Sequence, residues 1–338
     1  MIRVAACTTG RDTPSARFRV RQYLPFIKEC GVEVEEYVPL VGTYPPPVRL
    51  MRPVWAIQSI LSRIPAVIGS YGCDVTLLQR EMLSSHITLE PLTRRPRILD
   101  VDDAIWDRPR GAFAGRLARM CNAVVCGNSF LADQFGQWND RVYVVPTAVD
   151  TERFRPSSDS NERQIVGWSG SSSGFSYLYS IEKALTTILK NFPSVILRIV
   201  ADQVPRFTQI PSGRWEFVQW SPEIEVRSIQ EMKVGIMPLD NSVKARGKCS
   251  FKMLCYMACG VPAVVSPIGM NAELLAKGDI GYAASSTEEW VDAVTSLLKE
   301  PDEAKQKGEI GRRVCIDQFD VRQIARRIAE VFVEVARG

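Results

Sequence analysis

The chain has 338 residues, 46% of them hydrophobic and 24% charged, with a formal net charge of +4. That length suits two ordinary domains, each with a sizeable buried core. The charge is too mild, and the basic runs too short, for a nucleic-acid binder. A single histidine, His86, excludes a multi-histidine metal site. The nine cysteines contain no CxxC pair, so neither a zinc site nor a disulfide framework is indicated. Reduced, buried thiols in a cytosolic protein are expected.

The N-terminus MIRVAACTTG is too short and too quickly polar for a signal peptide. The longest uncharged stretch, residues 253–272, is interrupted by Gly260, Pro262, Pro267 and Gly269, which would break a membrane helix. Residues 1–150 hold 17 Arg and one Lys, Lys28. Arginine forks suit phosphate and carboxylate, and a GC-rich genome would leave the same bias.

In chain order, an apolar run at 2–7 reads as a strand and is followed by a polar loop at 8–15. Residues 17–29 have helical spacing, with Phe18, Tyr23, Leu24 and Ile27 apolar and Gly31 as the stop. Strands are expected at 32–38, 74–78, 97–101, 123–126 and 142–145, with a helix at 131–135 after an Asn128-Ser129 cap. Residues 45–68 form an apolar segment carrying Arg49, Arg52 and Arg63. It would suit an anionic membrane surface or an ordinary covered loop and helix. A linker is expected at 146–156.

The second half repeats the scheme. Strands are expected at 165–168, 196–201, 215–218, 234–237 and 263–266. Helices are expected at 178–191, 223–231, 251–259, 272–276, 287–298, 302–314 and 321–335. Alternating strands and helices imply α/β architecture, with two Rossmann-like doubly wound domains facing across a cleft. The expected division is 1–150, 151–320, and a final helix at 321–338 crossing back to the first domain. Ligands in such sheets sit at the strand carboxyl ends.

Three strand-to-helix junctions carry chemistry. From Asn241 to Ala272 there is no acidic residue, while Lys244, Arg246, Lys248 and Lys252 are basic. Ser250 is the expected N-cap of the following helix and Lys252 falls in its first turn, where a cation opposes the helix dipole. An anion such as a diphosphate at that terminus would resolve the conflict; a solvated basic loop would look the same. The GK[ST] phosphate-loop pattern fails here, because Ser242 replaces its first Gly and Cys249 displaces the Ser. At the second junction, Ser266 to Glu273, small residues admit a ligand to the backbone. Asn271 is placed to cap the next helix, and Glu273 to accept sugar hydroxyls or only to favour the dipole. The third junction, Gly167 to Gly174, is a Gly/Ser loop whose amides would suit phosphate. No GxGxxG stands at a strand-to-helix position, which disfavours a dinucleotide oxidoreductase.

With these junctions the sequence resembles the retaining, GT-B-fold glycosyltransferases of family four, the group 1 glycosyltransferases, in a bacterial subgroup lacking their paired Glu motif. GKCSFKMLCYMACGVPAVVSPIGMNAELL (247–275) resembles the family's donor-binding helix and loop, and VVPTAVDTERFRP (144–156) its linker. RILDVDDAIW (97–106) and VVCGNSFLADQF (124–135) resemble first-domain signatures. FVQWSPE (217–223) and VGIMPLD (234–240) resemble the strands beside the nucleotide base.

The resemblance implies a nucleotide-sugar donor, UDP- or GDP-linked, in the second domain and an acceptor in the first. It implies donor contacts from Gly170, Ser171, Gln219, Trp220, Lys248, Ser250, Phe251, Lys252, Met270, Asn271 and Glu273. The family's two Glu, eight residues apart, align with Gly247 and Cys255, which leaves the hold on sugar and ribose open. The implied activity is sugar transfer, with retention, to a glycan, glycolipid or other hydroxyl acceptor. No cofactor and no metal are expected, since Lys248, Lys252 and the helix terminus would stabilise the leaving diphosphate.

Asp102 and Asp103, just past a strand, are candidates to orient or deprotonate the acceptor hydroxyl; the competing roles are helix capping and pairing with Arg108 or Arg110. Asp100, Asp102 and Asp103 would otherwise have to act as a metal triad. Arg17 and Arg21, sharing a helical face, are candidates for a phosphate or acceptor contact, as is Gln79-Arg80-Glu81 more weakly. His86 reads as structural. The expected location is the cytoplasm, at the inner membrane face if the acceptor is lipid-linked. A nucleotide-sugar-binding protein without transferase activity and a GT-B epimerase or phosphorylase are the alternatives. A single His serves an epimerase poorly, whereas loss of both Glu favours the silent binder.

Overall fold

The computed structural model describes residues 1–11, 13–108, 111–157 and 163–338. Arg110, an expected partner of Asp102 and Asp103, lies outside the described residues. The chain forms two compact units, one of Met1–Ala148, Arg246–Cys249 and Val321–Gly338, the other of Val149–Ala245 and Ser250–Asp320.

The first unit is built on strands β1 (Ile2–Cys7), β2 (Val32–Tyr37), β3 (Val75–Gln79), β4 (Arg97–Val101), β5 (Ala123–Cys126) and β6 (Val142–Val144). All pair in parallel, in the order β2-β1-β3-β4-β5-β6. β3, β4 and β5 are buried along their whole length, as strands covered on both faces must be. The connecting helices are α1 (Pro14–Arg19), α2 (Leu24–Ile27), α3 (Arg52–Leu61), α4 (Ile64–Ser70), α5 (Ala112–Met120) and α6 (Ser129–Gly136). Asn128 caps α6 as expected, its Oδ1 accepting from the Leu131 amide at 2.9 Å.

The single helix expected over 17–29 is instead broken. Val20 leaves the helical region at φ −130°, and Pro25 offers no amide to continue the ladder. Two 3-10 turns, Arg21–Tyr23 and Lys28–Cys30, flank α2, and Gly31 ends the segment at φ +78°. The α5 helix is a departure from the sequence expectation, although Phe113, Ala114, Leu117 and Ala118 have the spacing of a buried face. The C-terminal helix Val321–Arg337 belongs to the first unit, where Ile324, Ile328 and Phe332 join Tyr23, Ile27 and Val32 in one core.

The second unit has strands β7 (Gln164–Ser169), β8 (Val195–Ala201), β9 (Trp215–Gln219), β10 (Val234–Met237), β11 (Ala263–Val265) and β12 (Gly281–Ala283). These are also parallel, in the order β12-β11-β10-β7-β8-β9. Its helices are α7 (Phe175–Ser180), α8 (Glu182–Asn191), α9 (Pro222–Gln230), α10 (Val243–Arg246), α11 (Phe251–Ala258), α12 (Met270–Leu275), α13 (Thr287–Lys299) and α14 (Pro301–Gln318). The continuous helix expected at 178–191 divides at Ile181 (φ −108°, ψ 12°). β12, three residues long, is too short to show a period and was not expected. From Val149 the linker is fixed in this unit. The Val149 amide donates to the Phe319 carbonyl at 2.9 Å, and the Thr151 hydroxyl to Asp320 at 2.6 Å. Among the described residues no helix is long and apolar enough to cross a membrane.

One ion pair lies inside the first core. Arg19 grips both oxygens of Asp100, at 3.1 and 2.5 Å, and donates to the Val145 carbonyl at 2.7 Å. Both side chains are almost fully buried. Burial raises the Asp100 carboxyl above the ordinary range, and the arginine opposes that rise. Removing one member leaves a buried, uncompensated charge, which costs about 3–5 kcal/mol. Arg19→Met should therefore lose about that much stability at neutral pH in urea unfolding, and Arg19→Met with Asp100→Leu should recover most of it. In the single variant Asp100 has a raised folded pKa and no cation. Its deficit should be small in acid and grow as pH rises through that pKa.

Candidate functional site

At the carboxyl ends of β3 and β4 the first unit buries a second arginine. Arg80 adopts φ +64° just after β3, with its amide donating to the Asp100 carbonyl at 3.0 Å. Its guanidinium is 5% exposed and lies 3.1 Å from Asp103, 3.7 Å from Asp102 and 4.0 Å from Glu81. Burial disfavours the Arg80 charge, but the surrounding carboxylates more than offset it, so the guanidinium is held above its usual range. Asp102 and Asp103 thus pair with Arg80 rather than with Arg108, because Arg108 is taken by Glu81 at 2.7 Å. Arg108 also lies 5.7 Å from the Tyr44 ring centre.

This cluster is incompletely satisfied. Arg80 Nη2, Glu81 Oε2, Asp102 Oδ1 and, one residue upstream, Gln79 Nε2 are buried without a hydrogen-bond partner. The Gln79 carbonyl oxygen accepts from the Thr9 amide and hydroxyl, at 3.1 and 2.9 Å. Buried polar atoms left unmatched cost about 1–3 kcal/mol each, so such a set is rare away from functional positions. It offers two donors and two acceptors, a pattern that hydroxyl groups, both donating and accepting, can match. Burial also pushes the Glu81 carboxyl up. The sequence ranks Gln79-Arg80-Glu81 as a weak candidate; the structure makes Arg80 the hub.

Asp100 has no part in a metal triad, since both its oxygens are held by Arg19. Among the described residues no three His, Cys, Asp or Glu form a metal-binding group. Arg17 and Arg21 do not share a helical face, because α1 ends at Arg19. Arg21 binds Glu36 at 2.9 Å and the Gly10 carbonyl at 2.7 Å, while Arg17 lies over the Phe18 ring. His86 Nδ1 contacts the Ser84 carbonyl at 2.8 Å.

The segment Arg246–Cys249 packs in this same unit. The Asn128 amide nitrogen donates to the carbonyls of Arg246 and Lys248, at 3.2 and 3.1 Å. The Cys249 thiol donates to the Asp102 carbonyl at 3.3 Å. A Cβ on Gly247 would meet the Ala104 amide nitrogen at 2.8 Å. Asn128, read from sequence as a helix cap, thus also fixes the backbone that carries Lys248.

In the second unit Lys252 stands in the first turn of α11. Its ammonium lies 4.7 Å from the ring centre of Trp168, which is 1% exposed at the end of β7. A Cβ on Gly170 would come within 2.2 Å of Lys252 Cε and 2.8 Å of Nζ. The bare backbone at Gly170 is what lets the lysine lie along the Gly/Ser loop. Cation–π attraction adds about 0.5–2 kcal/mol and fixes the charge beside that loop.

Other donor-side expectations change. Ser250 occupies the N-cap position with φ +49°, but its side chain caps nothing. Its hydroxyl donates to Asn271 Oδ1 at 2.7 Å, and Asn271 Nδ2 donates to the Ser266 carbonyl at 3.0 Å. Asn271 is the second residue of α12, behind Gly269 at φ +53°, and does not cap it. The buried Ser250–Asn271 pair instead ties two strand-to-helix junctions together. The Gly170 amide donates to the Val200 carbonyl, and the Ser172 amide and hydroxyl bond to Asp202, so these groups stabilise the loop itself. Ser171 Oγ contacts Ser173 Oγ at 2.7 Å. The Trp220 amide donates to the Ala201 carbonyl at 2.8 Å, while the Gln219 side chain is exposed. Phe251 meets Phe154 edge-on, Met270 is buried and Glu273 is half-buried in the first turn of α12. Cys255 is buried, and burial pushes its thiol well up.

The two-sheet architecture is shared with solved structures. Sucrose-phosphate synthase from Thermosynechococcus elongatus aligns over 99% of both chains, with a TM-score of 0.76 at 14% identity. Anabaena HepE, solved in complex with UDP and glucose, aligns over 99% of this chain and 100% of its own, with a TM-score of 0.73 at 14% identity. The fold is GT-B. Residues 167–300 match the family model described as glycosyl transferases group 1. A curated relative, alpha-maltose-1-phosphate synthase of Mycolicibacterium smegmatis, is 35% identical over 88 residues, 24% of this chain. The match spans 23% of that protein's length.

Gly247 supplies a direct check on the first-unit packing. Gly247→Ala should cost about 1–3 kcal/mol, because the methyl meets backbone rather than a side chain that can swing away. Chemical denaturation measures it, and an unchanged midpoint would contradict the close approach of residues 104 and 247.

Proposed function

We propose that the protein is a retaining, metal-independent glycosyltransferase that uses a nucleotide-sugar donor. The observation that carries this reading is the fixed ammonium of Lys252, held by Trp168 and Gly170 at the start of α11. It lies within the segment that matches the group 1 glycosyl transferase model. A cation normally opposes a helix N-terminus; here a diphosphate would bind both the lysine and the uncapped amides. As the glycosyl–phosphate bond breaks, that preorganised charge stabilises the leaving group without a metal. Lys248 is a further candidate for phosphate contact. Gly170 and Ser171 line the phosphate loop, Gln219 and Trp220 edge the base, and Phe251, Met270 and Glu273 contact the donor. Ser250 and Asn271 position these junctions through their shared hydrogen bond.

UDP is the favoured donor nucleotide, supported by its presence in HepE, with GDP next. The acceptor is a glycan, a glycolipid or another hydroxyl compound held by the first unit, in the cytoplasm or at the inner face of the membrane. Asp102, partly exposed and with one oxygen unmatched, orients the acceptor hydroxyl together with Asp103, and Arg80 lies against both carboxylates.

Calorimetric titration with UDP and GDP, in chelator, tests the donor side. Lys252→Ala and Lys248→Ala should each weaken nucleotide binding about tenfold or more, with little change in thermal midpoint. Unchanged affinity in both variants, or no binding by the parent protein, would remove the site. On the acceptor side, Asp102→Asn should slow transfer about 100-fold, and Asp103→Asn less, with donor affinity preserved. Donor hydrolysis and transfer rates near normal in both would defeat the role given to this pair.

A further inference from the structure

Helix α3 is built inside out. Its one buried residue is Ser59, while Val54, Ile57 and Leu61, spaced as one helical face, are 58%, 61% and 56% exposed. Just beyond it Arg63 is buried, with its guanidinium bonded to Ser59 and to the Thr43 hydroxyl at 3.0 Å. Burial lowers Arg63 to about 10. The polar side chains thus face inward, with only Arg63 Nε left unmatched there, and the aliphatic ones face out. The pattern extends beyond α3, since Leu50 is 91% exposed before it and Ile68 68% exposed on α4. Soluble chains rarely show water a contiguous apolar surface of this kind. An apolar recess of about 810 Å³, lined by Leu40, Val41, Leu61, Pro65 and Met82, adjoins the α3–α4 corner.

The charge within the segment that forms this face has one sign. Residues 38–73 contain no Asp or Glu, and Arg49 and Arg52 are exposed at the start of α3. Past α4, the Tyr71 hydroxyl donates to the carbonyl of exposed Leu92, and Arg94 donates to the Tyr71 carbonyl. Apolar side chains rimmed by arginine, with the one carboxylate of the adjoining recess, Glu36, paired to Arg21, match an anionic lipid bilayer, where the aliphatic face enters the acyl boundary and the guanidiniums meet phosphate. A second copy of this face would bring arginine against arginine.

We propose that the α3–α4 surface docks the protein on anionic membranes. The inference deepens the acceptor side of the proposed function and rests on it only for what the docking serves, which is access to a lipid-linked acceptor. Its evidence is the surface itself. The test is co-sedimentation of the full chain with vesicles of phosphatidylcholine alone or mixed with phosphatidylglycerol. The parent protein should sediment with the mixed vesicles, less so in high salt, and remain in the supernatant with phosphatidylcholine. The variant V54E/I57E/L61E should lose sedimentation while keeping its thermal midpoint, and R49E/R52E should lose most of it. A parent protein that stays in the supernatant with mixed vesicles, or a triple variant that sediments like the parent, overturns the proposal. So does a parent dimer in light scattering that the triple variant converts to monomer. Nucleotide titration on the same preparations is read separately, so failed docking with intact UDP binding leaves the donor reading standing, and the converse also holds.

Discussion

The buried pair of Arg19 and Asp100 sets the terms for the first unit. An arginine enters the core only where its donors are matched, and here two go to one carboxylate and a third to the Val145 carbonyl. The pair therefore joins α1, β4 and the chain leaving β6 at one point. It also decides which acids are available for chemistry. Of the three aspartates at 100–103, the first is spent on architecture, and only Asp102 and Asp103 reach past the strand end. The left-handed turn at Arg80 then places a second guanidinium against those two. Arg19 completes the fold, and Arg80 pairs with a partly exposed carboxylate cluster.

The second unit solves the opposite problem, holding a cation where a helix terminus repels it. The surrounding segment from Asn241 to Ala272 holds no acid. The Trp168 face and the missing side chain at Gly170 do the work instead. Neither of these two neighbours carries a formal negative charge. A carboxylate in the same place would have neutralised the lysine. Trp168 and Gly170 thus make the basic segment more than a solvated loop, and neither is basic itself.

What was legible in the sequence follows the range of the interactions involved. β5 and β10 could be read to the residue, because buried parallel strands are continuous apolar runs bounded by polar or turn residues, and β4 likewise despite Arg97 and Asp100 within it. Lys252 in the first turn of α11 followed from helix phase alone. The break of the first helix was half visible, in Pro25, but the departure of Val20 depends on where Arg19 must point. Ser250 and Asn271 look like caps by residue type. They serve as each other's partners because Ser250 turns into the left-handed region and both side chains are buried, which no local rule anticipates. The members of the Arg80 cluster are legible as separate candidates, but their assembly is not. They lie at 79–81 and 102–103, on neighbouring strands, and only the parallel pairing of β3 with β4 brings them together.

The two positions where the resembling family carries Glu illustrate how such a departure is accommodated. At 247 the backbone of Ala104 leaves no room for any side chain, so the glycine there is a packing requirement. At 255 the side chain is wholly buried, and a carboxylate would need a counter-ion that the neighbouring thiols of Cys259 and Cys315 cannot supply. Restoring either acid singly would therefore cost stability without rebuilding a contact to sugar. Gly247 and Cys255 belong to the present packing of the chain. On the proposed reading, hydroxyl groups would meet Glu273 in the second unit and Asp102, Asp103 and Glu81 in the first.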